Sequence, residues 1–230
     1  MPAVHEFDVV VAGGGPAGIA ATLSAARSGA KVALIEATGA FGGMATTGMV
    51  PAFCPYSNGE EVVIRGIGFE ILEKARECGA AISKSGGGVK EHDWVRINAE
   101  KLKLLFDRML VESGAELRLF TQVTEPRVEA DRIAALETWS KSGREEWRAP
   151  LFVDCTGDAD VAARAGCPCD QGDAKGRMQP STLCFVVAGL RGEEVSGVLR
   201  HQPFGEIVKE ASLAGDLSGR LDHHHCVSEA

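Results

Sequence analysis

Gly13, Gly15 and Gly18 stand in the run AGGGPAG, and a carboxylate, Glu36, follows eighteen residues after the last of them. This is the G-x-G-x-x-G spacing of a loop that holds a diphosphate. The first glycine permits a tight turn, the second omits the Cβ that would block a pyrophosphate, and the third lets helix and strand pack closely. If a helix starts in that loop, its free N–H groups and dipole face the anion, worth up to ~2 kcal/mol in a partly buried site. Pro16 and Ala17, between the second and third glycines, join the candidate set. An acid about twenty residues on is placed to meet the ribose hydroxyls of a dinucleotide's AMP half. The alternative is a bare glycine turn with a solvated surface Glu.

Such a loop works only between a strand and a helix, so the flanking elements decide. Phe7 to Ala12 is a short β-branched run that reads as a buried parallel strand. Pro16 to Ser28 is alanine-rich with a stop at Gly29, hence a helix, and Lys31 to Ile35 returns to strand character before Glu36. Strand, glycines, helix, strand and acid are in register as a βαβ unit, which favours the nucleotide reading.

Beyond it, residues Ala37 to Ile64 lack periodicity and read as loop. A helix is expected over Ile67 to Cys78, with Ile67, Ile71, Leu72 and Ala75 on one face and Gly79 as its stop. After a further loop, SKSGGGVKEHDW, a helix is expected over Ala99 to Glu112, capped by Asn98, with Leu102, Leu105, Phe106, Met109 and Leu110 as its core stripe. From Ala115 to Asp154, short alternating runs read as a small antiparallel meander. LFVDCTGDADVAARAG then repeats the switch from buried strand through a glycine turn to a short helix. The tail from Gly189 carries weak helical patterns.

The net charge of −8 and pI near 5.3 leave no basic surface for a phosphate backbone, so nucleic acid is not an expected partner. The seven cysteines lack disulfide or zinc spacing, and no run approaches transmembrane length. A cytoplasmic protein with no membrane partner is expected. A homo-oligomer stays open.

The stretches DVVVAGGGPAGIAA, ALIEATGAFGGMATTGMV, GIGFEIL, AEKLKLLFDRML, VDCTGDADVAARAG and QPSTLCF together resemble the FAD-dependent oxidoreductases of the glutathione-reductase-like, two-dinucleotide-binding superfamily. The resemblance covers most of residues 7 to 190. It implies FAD as cofactor and flavin-mediated hydride or electron transfer on a small-molecule substrate. It places Gly42, Gly43 and Met44 along the pyrophosphate and ribityl chain, the Val123 backbone at the adenine, and Thr156, Gly157 and Asp158 in a turn beside the cofactor. Asp158 is also a candidate N-cap of the helix that follows. Cys155 stands where the family usually has alanine.

The expected fold is therefore α/β: a Rossmann-type parallel sheet with an antiparallel meander and the beginning of a substrate domain. Residues 1–166 form the FAD-binding domain, with an inserted segment at about 44–97, and 167–230 start an incomplete substrate domain. Nothing from Leu190 to Ala230 resembles the strand and helix with which such chains return to cover the flavin, so an N-terminal portion or a naturally shortened form that binds FAD weakly and turns over little is expected. The rivals are an NAD-dependent dehydrogenase, a non-catalytic flavin-binding fragment, and RNA-modifying flavin chemistry, which the acidic charge disfavours.

Other clusters are weaker. Cys167-Pro-Cys169 and His223-His224-His225-Cys226 have no second half at ligand spacing, so no metal is expected. Cys54, just after the flavin loop, is a candidate for electron exchange with a flavin but lacks a C-x4-C partner and reads as an unreactive loop cysteine, while His92, Asp93, Arg96 and Arg65 are candidate substrate contacts that read by default as solvated loop residues. No catalytic acid or base can be named.

Overall fold

The computed structural model describes residues 2–82, 88–179, 181–186, 188–189, 191 and 204–214. At its centre lie two strands made of unbroken apolar runs, β2 (Val9–Ala12) and β3 (Val32–Ile35), and every residue of both is buried. A strand with no polar face needs cover on both sides. The sheet they form is parallel throughout, in the order β11-β2-β3-β7, with β7 at Glu116–Arg118 and β11 at Leu151–Asp154.

Successive side chains of a strand point to opposite faces, and here each face has its own core. Val9, Val11, Val32 and Leu34 pack with Ile19 and Leu23 of helix α1 (Pro16–Arg27) and with Leu102, Phe106 and Leu110 of helix α3 (Ala99–Glu112). Val10, Ala12, Ala33 and Ile35 pack instead with Val123, Leu136, Trp147 and Val161. Those partners come largely from a second sheet, ordered β1-β10-β9-β8, over Ala3–Glu6, Gly143–Arg148, Arg132–Ser140 and Gln122–Glu129. Trp147 is wholly buried there and its indole N–H donates to Thr138 Oγ1 at 2.9 Å.

Helix α3 forms where its stripe and cap predict. Asn98 Oδ1 accepts from Lys101 N at 3.0 Å, and Leu102, Leu105, Phe106, Met109 and Leu110 are its buried residues. Burying a side chain such as Phe106 stabilises by ~1.5–3 kcal/mol. Helix α2 occupies Gly66–Glu77, one residue earlier than expected at each end, and buries Ile71, Leu72 and Ala75. The short helix α4 (Asp160–Arg164) follows β11. The chain divides into two compact units, Met1–Leu183 and Cys184–Ala230, and the second contains helix α5 (Phe204–Leu213).

Two expectations change, and one strand is added. The sequence places Glu116–Arg118 in the meander, whereas β7 pairs with β3 in the parallel sheet, Leu34 against Leu117. Its alternation is equally compatible with either sheet. The N-terminal residues Ala3–Glu6 form β1, which runs parallel to β10 at the edge of the meander. Within the stretch expected as loop before α2, Ala52–Phe53 forms β4, which joins β5 (Ala81–Ile82) and β6 (Val95–Ile97), on either side of the second loop, in a small three-stranded sheet ordered β4-β6-β5. Strands of two or three residues are too short to show a period.

Candidate functional site

The AGGGPAG loop joins β2 to α1, and its glycines do different work. Gly13 has φ +96°, and a Cβ there would sit 2.6 Å from the Cys155 carbonyl carbon, so only glycine fits against the end of β11. At Gly18 a Cβ would drive into the Gly13 carbonyl oxygen. Gly15 differs: its backbone is extended (φ −69°, ψ −175°), and a Cβ there would meet only the Gly43 Cα, 4.0 Å away. The protein's own packing therefore does not require glycine at 15, and the space it leaves suits a diphosphate.

The start of α1 borders that space. Pro16 opens the helix, no side chain caps it, and its first turn has no acid, so the helix end is open to an anion. Ala17 lies in that first turn. On the other side runs the second glycine loop. Gly42 has φ +114° and its N–H donates to the Gly14 carbonyl at 2.8 Å, while Gly43 has φ +49° and opens a short 3-10 turn through Ala45. Met44, in that turn, is 62% exposed.

Glu36 lies at the end of β3 and is buried, with 8% exposure. One carboxylate oxygen accepts from Gly14 N at 2.7 Å and the other from Thr38 N at 2.6 Å. The acid is thus held against the glycine loop before any ligand arrives. Gly14, an unassigned position of the motif, links the two loops and the acid through its N–H and carbonyl. Val123 is the second residue of β8, its side chain buried, and its carbonyl accepts from Gln122 Nε2 at 3.1 Å. Two residues earlier, Thr121 N donates to the Glu36 carbonyl at 3.0 Å, which brings this strand start beside the acid.

The turn after β11 is organised by Asp154, a residue the sequence reading passed over. It accepts from Thr156 N (3.1 Å), Thr156 Oγ1 (2.7 Å) and Ala162 N (2.9 Å), and Thr156 Oγ1 accepts in turn from Asp160 N at 2.8 Å. The D-x-T pattern was the available signal, since an Asp side chain commonly binds the backbone two residues on. Asp158 is exposed and does not cap α4, whose N-cap is Ala159 at φ +56° without a side-chain bond. The capping is supplied from a distance by Asp154 and Thr156. Gly157 is exposed with φ +96°, a conformation that favours glycine.

Burial pushes the Asp154 carboxyl up, but the bonds from Ala162 and Thr156 outweigh it and hold it below the ordinary Asp value. A depressed folded-state value contributes stability above the unfolded pKa of ~3.9 that is lost as pH falls through the folded value. Asp154→Asn is expected to cost about 1–3 kcal/mol at pH 7, with partial solvent exposure favouring the lower end. The difference from the unaltered protein should shrink below about pH 4. Urea unfolding of both proteins across that range checks it, and a pH-independent difference contradicts it.

Cys155 bonds through its N–H to the Ala12 carbonyl at 2.7 Å and packs against the main core. Burial, and secondarily the Asp154 charge, push its thiol up, which suits an inert packing role. His92 stacks on Phe69 at 5.6 Å and its carbonyl accepts from Tyr56 N at 2.8 Å. Tyr56 is itself buried, which pushes its phenol up to about 12 against the opposing Arg76 charge. His92 is thereby tied into the inserted segment. Arg96 lies in β6 and Arg65 precedes α2, while Asp93 is half-buried and Cys54 exposed. Cys167 and Cys169 are exposed, and His223 to Cys226 lie outside the described residues. Among the described residues no three His, Cys, Asp or Glu side chains gather as metal ligands, and no helix is long and apolar enough to cross a membrane.

Residues 8–221 match the family model described as FAD dependent oxidoreductase. The chain belongs to that family. FAD is the cofactor of that family. A digeranylgeranylglycerophospholipid reductase of Methanoculleus marisnigri is 30% identical over 177 residues, which are 70% of this chain and 42% of that protein. Digeranylgeranylglycerophospholipid reductase 1 of Methanopyrus kandleri is 29% identical over 212 residues, 86% of this chain and 52% of that protein. The chain thus spans about half the length of these curated relatives. Among solved structures, the myxobacterial chondrochloren halogenase superposes with a TM-score of 0.54 at 16% identity, covering 70% of this chain and 39% of that one. At that identity the likeness is one of fold.

Proposed function

We propose that this chain is the FAD-holding part of a cytoplasmic flavin-dependent oxidoreductase of the glutathione-reductase-like superfamily, acting on a small molecule. The observation that carries the reading is the space at Gly15, bounded by Gly43 and the uncapped start of α1, with Glu36 already bonded to the same loop. FAD, when bound, supplies hydride or electron transfer, and the protein supplies binding and orientation. Gly13, Gly15, Pro16, Ala17 and Gly18 form the diphosphate loop. Gly42, Gly43 and Met44 line the pyrophosphate and ribityl chain, Val123 borders the adenine, and Thr156, Gly157 and Asp158 form the turn beside the cofactor. On this reading residues 1–166 are the FAD-binding domain and 167–230 begin the substrate domain. The absorption spectrum of the purified protein tests it, followed by dithionite reduction and reoxidation in air. A protein that neither retains nor takes up flavin contradicts it.

Glu36 has a double task on this reading. Each carboxylate oxygen spends one lone pair on Gly14 or Thr38 and keeps another for a ribose hydroxyl. Glu36→Ala is therefore expected to weaken FAD roughly ten- to a hundredfold. It should also destabilise the cofactor-free protein by about 1–3 kcal/mol, because two N–H groups lose their acceptor. Flavin titration and urea unfolding measure the two effects separately. Unchanged affinity in a folded, destabilised variant would make Glu36 a loop staple and nothing more.

A further inference from the structure

Phe120 is 71% exposed although it sits between β7 and β8, beside the acid end of the parallel sheet. Its φ is +51°, in the left-handed region, where a bulky side chain is strained. The backbone around it is fixed from both sides: Phe120 N donates to the Thr38 carbonyl at 3.0 Å, and Thr121 N to the Glu36 carbonyl at 3.0 Å. The ring lies against Gly39, where a Cβ would come within 2.8 Å of Phe120 Cε1. Gly39 is three residues after Glu36, in the loop that holds the acid in place. An aromatic ring is thus kept in a costly conformation, seated on a glycine and mostly open to water, next to the carboxylate assigned to the ribose. Burial does not account for it, because most of the ring is not buried. Thr38 joins Phe120 to Glu36, since its N–H donates to the Glu36 carboxylate and its carbonyl accepts from Phe120 N, so a ribose bound at that acid would have this ring as a near neighbour of its base.

We propose that Phe120 is the stacking surface for the adenine ring and thereby a positioning residue for the AMP half of FAD. The proposal rests on the FAD reading above and assigns a side chain to the adenine where that reading used only the Val123 backbone. Gly39 sets the tilt of the ring by leaving room for its edge, and the left-handed backbone turns the ring outward.

The test is calorimetric titration of the full chain with ADP and with FAD, alongside thermal melts without ligand, for the unaltered protein, Phe120→Gly and Phe120→Trp. Phe120→Gly is expected to weaken ADP and FAD by the same factor, roughly 5- to 100-fold, as loss of base–aromatic stacking does elsewhere. Its melting point without ligand should not fall, since glycine adopts this backbone without strain. Phe120→Trp should restore most of the affinity. A merely structural role predicts the opposite signature, in which the melting point falls with the affinity and Phe120→Trp does not rescue it. Unchanged ADP affinity in Phe120→Gly, or that structural signature, overturns the proposal while leaving the FAD reading intact. An unaltered protein that takes up neither FAD nor ADP overturns both.

Discussion

Gly15→Val is expected to weaken FAD binding on the order of 100-fold while the protein stays folded. The backbone at 15 is already extended, a conformation any residue adopts, and a Cβ there has only the Gly43 Cα as neighbour, at 4.0 Å. The added methyl groups would occupy the space assigned to the pyrophosphate. Crowding of that kind costs up to about 3 kcal/mol, so the affinity should fall on the order of 100-fold. Gly15→Ala supplies the graded control. It should bind FAD less tightly yet be more stable without it, by ~0.4–1 kcal/mol, because alanine leaves the unfolded chain fewer conformations to lose. Flavin titration and cofactor-free melting, run on both variants, read the two quantities independently. If FAD loss simply tracks thermal unfolding across both substitutions, the glycine serves the turn and not the ligand.

Gly18→Ala is expected to have the opposite outcome, a failure of the fold. Its Cβ would enter the Gly13 carbonyl oxygen, and the neighbouring atoms are backbone that cannot swing aside. Gly13 in turn is pressed against the end of β11 at Cys155 and Thr156. Relief would require moving α1 away from β2, which separates Ile19 and Leu23 from the strand side chains they pack with. The expected cost is about 4 kcal/mol or more, at the severe end for single substitutions. In a chain of this size that lowers Tm by about 10 °C or more. Circular dichroism melts of the purified variant measure it. A Gly18→Ala protein with unaltered Tm would mean that helix and strand can move apart freely, and the account of the third glycine would fail.

The two glycines look alike in the sequence and belong to one motif. G-x-G-x-x-G marks a candidate diphosphate loop but does not say which Cβ a ligand would exclude and which the protein itself excludes. That depends on what faces each position across the fold: another loop at a distance for Gly15, a carbonyl in contact for Gly18. Glu36 is a similar case. Its spacing marks it as an acid at a strand end, while its bonds to Gly14 and Thr38 appear only once β3 lies beside the loop.

By itself, the sequence determined whatever depends on near neighbours. The unbroken apolar runs of β2 and β3 require cover on both faces, Asn98 and a five-residue stripe define α3, and the glycine spacing after a strand defines the turn from β2 into α1. Each of these rests on interactions spanning a few residues or on a burial pattern of fixed period. Only the tertiary structure decided the membership of strands and the wiring of the second turn. The alternation of Glu116–Arg118 suits a meander as well as a parallel sheet, and its pairing with Ala33–Ile35 across more than eighty residues made the choice. Ala3–Glu6 became a strand because β10, some 140 residues away, offered a parallel edge. Asp158 looked like the cap of α4, yet Asp154 and Thr156 took its hydrogen bonds, since the left-handed Ala159 separates Asp158 from the helix it precedes. Pairing of distant edges and the choice among nearby hydrogen-bond acceptors are settled by packing in three dimensions, and local residue order carries no period that encodes them.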